Sequence, residues 1–222
     1  MCKHLLYAVC LGSSITLSHA KEIQVNFLVS SNKPEVIQYK FSHYFKQQIN
    51  ILNQYFLDEN NQKIFNFSLG NIISYRSFTK KDCDFQRILN KAEVFIVKDL
   101  APSFNRCFPQ KNPKEVFVFI YDSYANHNGF ADTTSWGFYN RGKPFILLDW
   151  KRFDLGKSSA ILHEMGHAMG LNHVCAPGAK RHDSTNRMAS GQCGEGSMGL
   201  RNLGFIPDQV SKMYQNYNNM AK

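Results

Sequence analysis

"HEMGHAMGLNH", residues 163–173, places three histidines and one glutamate within eleven positions. His163 and His167 are four apart, so on an α-helix they stand one turn above each other on the same face. Two imidazoles so placed can bind one Zn²⁺ at about 2.0–2.1 Å each. Glu164 lies on the flank of that face, where a carboxylate can take a proton from water beside the metal. Were the helix to continue, His173 would lie about 80° off this face and roughly 15 Å along the axis. Gly170 supplies the stop, because glycine accepts the left-handed conformation of a helix C-terminus without a Cβ clash. The chain then turns back and brings His173 to the other two. At average residue frequencies, this spacing of His163, Glu164, His167, Gly170 and His173 arises by chance in roughly one chain in a hundred thousand. Gly166 has a plainer reading, close packing in mid-helix at about 1 kcal/mol of propensity.

Outward from the motif, its helix is expected to start near Lys157–Ser158. Upstream, "EVFVFIYD" (115–122) and "PFILLD" (144–149) read as strands, with "GFADTTSWG" (129–137) a short extended segment between them. "EIQVNFLV" (22–29) alternates and is rich in branched and aromatic residues, a further strand. From Pro34, apolar residues including Val36, Phe41, Tyr44, Phe45, Ile49, Leu52 and Phe56 recur at three and four, predicting a long amphipathic helix. "KIFNFSLGNIISYR" (63–76) is another strand region, with Gly70 a bulge or turn. Residues 84–101 follow helical spacing up to Pro102, although "EVFIV" alone fits a strand. "PDQVSKMYQNY" (207–217) starts a helix with Pro at its first position.

The 222 residues suffice for one domain with a sizeable core, and no repeat, low-complexity tract or linker divides them. "MCKHLLYAVCLGSSITLSHA" (1–20) has a basic start, a short apolar run and small residues before a cut, the pattern of a secretory signal peptide cleaved after Ala20. The mature product is expected to be soluble, exported and monomeric. Four cysteines follow this segment, Cys83, Cys107, Cys175 and Cys193, in a compartment that permits disulfides. They allow three pairings; sequence neighbourhood favours Cys83 with Cys107 and Cys175 with Cys193. Neither pair has the spacing of a cysteine zinc site. The net charge of +9 is scattered rather than clustered among aromatics, so a nucleic-acid groove is not expected. His43, His127 and His182 have no partner at ligand spacing. Asp122, Asp132 and Asp183 are candidate calcium ligands, but no calcium-loop pattern supports them.

HExxHxxGxxH, carried by His163, Glu164, His167, Gly170 and His173, resembles the signature of the metzincin zinc peptidases. The resemblance implies an α+β, zincin-like catalytic domain with a twisted, mostly parallel mixed sheet and long helices. It implies an active-site helix within an upper part, 21–173, and a small C-terminal subdomain, 174–222. It also implies a methionine turn beneath the metal; Met188 in "STNRMAS" fits better than Met198 in "GSMGL". A Cys175–Cys193 bridge would close the loop holding Met188. "GFADTTSWG" (129–137), with Gly129, Phe130 and Ala131 as the candidate residues, resembles in position the edge strand along which such enzymes bind substrate. The chain departs from the better-known subfamilies at Val174, after the third His, and at Ser190, where some members have a zinc-binding Tyr. Residues 84–107 are extra relative to the simplest layout. The expected function is a secreted zinc metalloendopeptidase acting on proteins or peptides, with zinc on His163, His167 and His173 and Glu164 as general base. The rival readings are an exported zinc-binding recognition module with little or no proteolysis, and a peptidase restricted to small or cell-wall peptides.

Overall fold

Strand β1 (Lys21–Val29) is buried on both faces: Ile23, Val25, Phe27 and Val29 point to one side, Asn26 and Leu28 to the other. Burial on both faces is what a strand inside a parallel sheet requires, since helices or loops must cover each side. The computed structural model describes residues 20–29, 41–74, 102, 104, 105, 107, 112–121, 135–152, 156, 159–174, 186–189 and 203–220. After β1 come α1 (Phe41–Tyr55), β2 (Phe65–Ser74), β3 (Glu115–Tyr121), β4 (Ser135–Phe138), β5 (Phe145–Asp149), α2 (Ala160–Ala168) and α3 (Pro207–Asn218). The strands form one sheet in the order β2-β1-β3-β5-β4. Three pairings are parallel, and only β4 runs antiparallel, at the edge against β5. The fold is thus mixed α/β, with a mostly parallel sheet.

One face of the sheet carries the main core. Ile23, Val25 and Phe27 of β1, Val116, Val118 and Ile120 of β3, and Ile146 and Leu148 of β5 pack there with residues of all three helices. The alternate residues Phe117 and Phe145 face the other side, where Phe104 stacks on Phe145 with ring centroids 4.1 Å apart and meets Phe117 edge-on. This is the period-2 pattern of a strand with both faces covered. On α1, Phe45, Ile49 and Leu52 are buried at helical spacing, whereas Tyr44 is 41% exposed, so the apolar stripe is narrower than its sequence suggests. Asn53 of α1 closes the outer edge of β2: its Nδ2 donates to the Phe67 carbonyl and its Oδ1 accepts from the Phe67 N–H, both at 2.8 Å. A side-chain amide thereby takes the place of a missing strand. The β1–β2 register slips as expected near Gly70: Leu69 pairs with Val25 but Ile72 pairs with Phe27, so Gly70 and Asn71 oppose Asn26.

The motif helix begins later than its sequence predicts. α2 starts at Ala160, after Ser159 at φ −53° and ψ 130°. Ser159 Oγ donates to Gln48 Oε1 at 3.2 Å instead of capping the helix. Several expectations lie outside the described residues: the leader, the start of the long helix at 34–40, and the 84–101 segment. Cys83, Cys175 and Cys193 also lie outside them, while Cys107 is buried. Among the described residues, no helix is long and apolar enough to cross a membrane.

Candidate metal centre

The end of α2 is built by hydrogen bonds that close a glycine-terminated helix. The Gly170 N–H donates to the His167 carbonyl at 2.8 Å and the Leu171 N–H reaches back to the Gly166 carbonyl at 3.0 Å. This pair requires a left-handed residue between them, and Gly170 has φ 88°. α3 reinforces the stop, because Asn216 Nδ2 donates to the Met169 carbonyl at 2.8 Å. A Cβ at position 170 would collide with that same amide, so glycine serves both the turn and the packing. Tyr139 holds Asn216 from the other side, donating its hydroxyl to the Asn216 carbonyl at 3.0 Å. Burial raises the Tyr139 phenol pKa and so keeps it a donor. Replacing the buried Asn216 by Ala strands the Met169 carbonyl. It should lower stability by about 1–3 kcal/mol, read from urea unfolding.

Beyond this stop the chain returns, and three imidazoles converge. The His173 Nε2 lies 2.9 Å from the Nε2 of His163 and 2.9 Å from that of His167, and the latter two are 3.2 Å apart. Tetrahedral ligands at about 2.05 Å from zinc are separated by about 3.3 Å. The proton positions favour a cation as well. His163 Nδ1 lies 2.9 Å from the Arg187 carbonyl, and His167 Nδ1 lies 2.7 Å from the Leu171 carbonyl. A carbonyl only accepts, so both neutral rings carry their proton on Nδ1 and turn the Nε2 lone pairs towards each other. Two lone pairs face to face at 3.2 Å repel unless a cation lies between them. His163 is buried, His167 half-buried and His173 exposed, so the group opens to solvent on the side of His173. This three-histidine group can therefore hold a metal ion.

One turn, Asn186–Ala189, supports two of the three rings. The Ala189 N–H donates to the Asn186 carbonyl at 2.9 Å, and the Met188 N–H donates to Asn186 Oδ1 at 2.9 Å, the self-bonding habit of Asn at a turn. Arg187 presents its carbonyl to His163. The Met188 carbonyl accepts from the Val174 N–H at 3.0 Å, next to His173. The Met188 side chain is fully buried beneath α2, against Gly166. Any Cβ there would overlap the Met188 sulfur, so Gly166 is the seat of this methionine and not merely a small residue in mid-helix. The turn is fastened at both sides. The buried Arg187 donates from Nη2 to the Tyr55 carbonyl at 3.3 Å, at the C-terminal end of α1, where the helix dipole favours a cation. The Asn186 and Gln209 amides exchange two hydrogen bonds of 3.1 Å each, tying the turn to α3.

Glu164 is 5% exposed and faces β4, where Ser135 Oγ donates to its Oε1 at 2.8 Å. Gly137, two residues along the same strand, lies flat against the backbone of α2; a Cβ there would overlap the Glu164 carbonyl oxygen. Ser135 and Gly137 fall in the extended segment expected at 129–137, though nothing there singled out either residue; Arg187 and Asn216 carry no signal in the sequence. Gly129, Phe130, Ala131, Met198 and Ser190 lie outside the described residues, as do His127, His182, Asp122, Asp132 and Asp183. His43 is on the surface, its Nε2 2.8 Å from Gln47 Nε2.

No family model matches the chain, and no curated protein matches it in sequence. Among solved structures it is similar to the archaemetzincin from Methanopyrus kandleri, at 12% identity and a TM-score of 0.46, over 91% of this chain and 99% of that one. At that degree of likeness the functional reading has to stand on the residues themselves.

Proposed function

We propose that this chain is an exported zinc metalloendopeptidase. The observation that carries the reading is the convergence of three imidazole nitrogens, two of them with their protons held on the far side, beside a buried glutamate. His163, His167 and His173 are the ligands in this reading. Three protein ligands are the number typical of catalytic zinc, where structural sites usually have four. Zinc held there supplies Lewis acidity towards water and towards a carbonyl oxygen.

The protein's own groups account for the remaining chemistry. Glu164 accepts a proton from the attacking water and passes it to the leaving amine, the two proton transfers that peptide hydrolysis needs. The Nδ1 bonds of His163 and His167 keep those rings in one tautomer and one orientation through the cycle. β4 lies at the sheet edge, and an extended peptide adding along it would be held by main-chain hydrogen bonds. Residues 21–173 carry the sheet and the ligand helix, and 174–222 the methionine turn and last helix, as two parts of one domain. The basic start, short apolar run and small residues of 1–20 support export with removal of the leader after Ala20 in this reading. Met188 is the base of the site in this reading.

The test is metal analysis together with casein cleavage by the purified chain. One zinc per chain is expected, with cleavage lost on chelation and restored by added zinc. A chain that binds zinc but cleaves neither casein nor short peptides would instead be the recognition module. Cleavage of short or cell-wall peptides alone would narrow the substrate class.

A further inference from the structure

β4 grips the glutamate of the candidate site at two points. Side chains two residues apart on a strand share a face, so Ser135 and Gly137 both turn towards α2. Phe138 faces the opposite way, its ring centroid 4.9 Å from that of Phe145. Ser135 Oγ donates to Glu164 Oε1 at 2.8 Å. The bare Cα of Gly137 lets the strand close onto the Glu164 backbone, with the His167 Cβ also beside it. The strand is in turn fixed to the sheet by pairing Ser135 with Leu148 and Gly137 with Ile146. The hydroxyl is therefore aimed by the sheet and not by a loop.

We infer that Ser135 is the positioning residue of Glu164. A carboxylate on a two-carbon stem rotates about its last torsion with little preference. A hydrogen bond to Oε1 fixes the plane of the carboxylate, and so fixes where Oε2 presents its lone pairs. Because Ser135 lies on the edge strand, a peptide seated along β4 would lie beside the residue that orients the base. Substrate binding and base alignment then share one rigid element. This inference rests on the peptidase reading for its catalytic consequence, but the hold on the carboxylate does not depend on it.

The experiment uses the full chain and compares the parent with Ser135→Ala and Ser135→Thr by kinetics, zinc titration, thermal unfolding and crystal structures. Ser135→Ala should lower kcat by about 10- to 100-fold, the cost of misplacing a reacting group by around an ångström. KM should stay within about twofold and zinc affinity unchanged, and the crystal structure should show the Glu164 carboxylate turned from its parent orientation. Ser135→Thr keeps a hydroxyl and should recover most of the loss. The inference is overturned if the parent cleaves peptide and Ser135→Ala does so equally well. It is likewise overturned if Glu164 keeps its orientation in the Ala variant, or if both variants lose activity together with stability. A parent that cleaves nothing, with Glu164 nonetheless turned in Ser135→Ala, would sink the peptidase reading and leave the positioning role standing.

Discussion

Glu164→Gln should lower kcat for peptide cleavage by about 10²- to 10⁴-fold while the purified chain still binds one zinc. The amide matches the carboxylate in shape and retains an oxygen that can accept the Ser135 hydroxyl, so packing at this buried position should survive. It has no basic oxygen, so it cannot carry the proton from water to the leaving amine. The three imidazoles are untouched, and the carbonyls of Arg187 and Leu171 still hold two of them. Loss of a nearby negative charge should weaken zinc affinity only modestly. The paired measurement therefore separates chemistry from assembly: zinc by metal analysis, turnover with a peptide substrate. Parent-like turnover in the variant would remove Glu164 as the general base. Loss of zinc along with activity would make it a structural support instead.

Gly137→Ala should be severely damaging for so small a substitution at the site. The added Cβ falls on the Glu164 carbonyl oxygen and lies 2.9 Å from the His167 Cβ. The obstacle is helix backbone, which cannot rotate away, so β4 and α2 must separate. Overpacking of this kind costs about 1–3 kcal/mol, and sometimes more. For a domain of this size that is a fall in melting temperature of about 2–12 °C. Separation would also pull Ser135 off Glu164, so cleavage should fall more than tenfold even where the chain remains folded. Gly166→Ala is the informative contrast. Its Cβ meets the sulfur of Met188, the flexible part of a side chain, and helix propensity improves by about 1 kcal/mol. Its melting temperature should change less. A Gly137→Ala chain with parent stability and activity would show that the strand and helix do not need this contact.

Much of the organisation was legible because it is local. An alternating apolar run marks β1, short continuous apolar runs mark β3 and β5, and Pro207 stands at the first turn of α3. The anomalous register at Gly70 is likewise announced by a glycine inside a strand pattern. Errors arose where a distant residue overruled a local preference. Ser159 stands just before α2, where a serine hydroxyl commonly caps the helix, yet it donates to Gln48 instead. Tyr44 belongs to the apolar pattern of α1 yet faces solvent, because the stripe that meets the sheet is narrower than the run of apolar residues.

The histidine-bearing helix, its stop and the return of a third histidine are legible in the sequence alone. These depend on fixed angles per residue and on the one residue type that accepts a positive φ. Which groups aim those residues follows from long-range packing. Arg187 lies 24 positions from His163, Ser135 lies 29 from Glu164, and Asn216 lies 47 from Met169. A hydroxyl, a carbonyl and an amide carry no periodic signal. Their partners are set by which strand edge and which turn the packed core brings against α2.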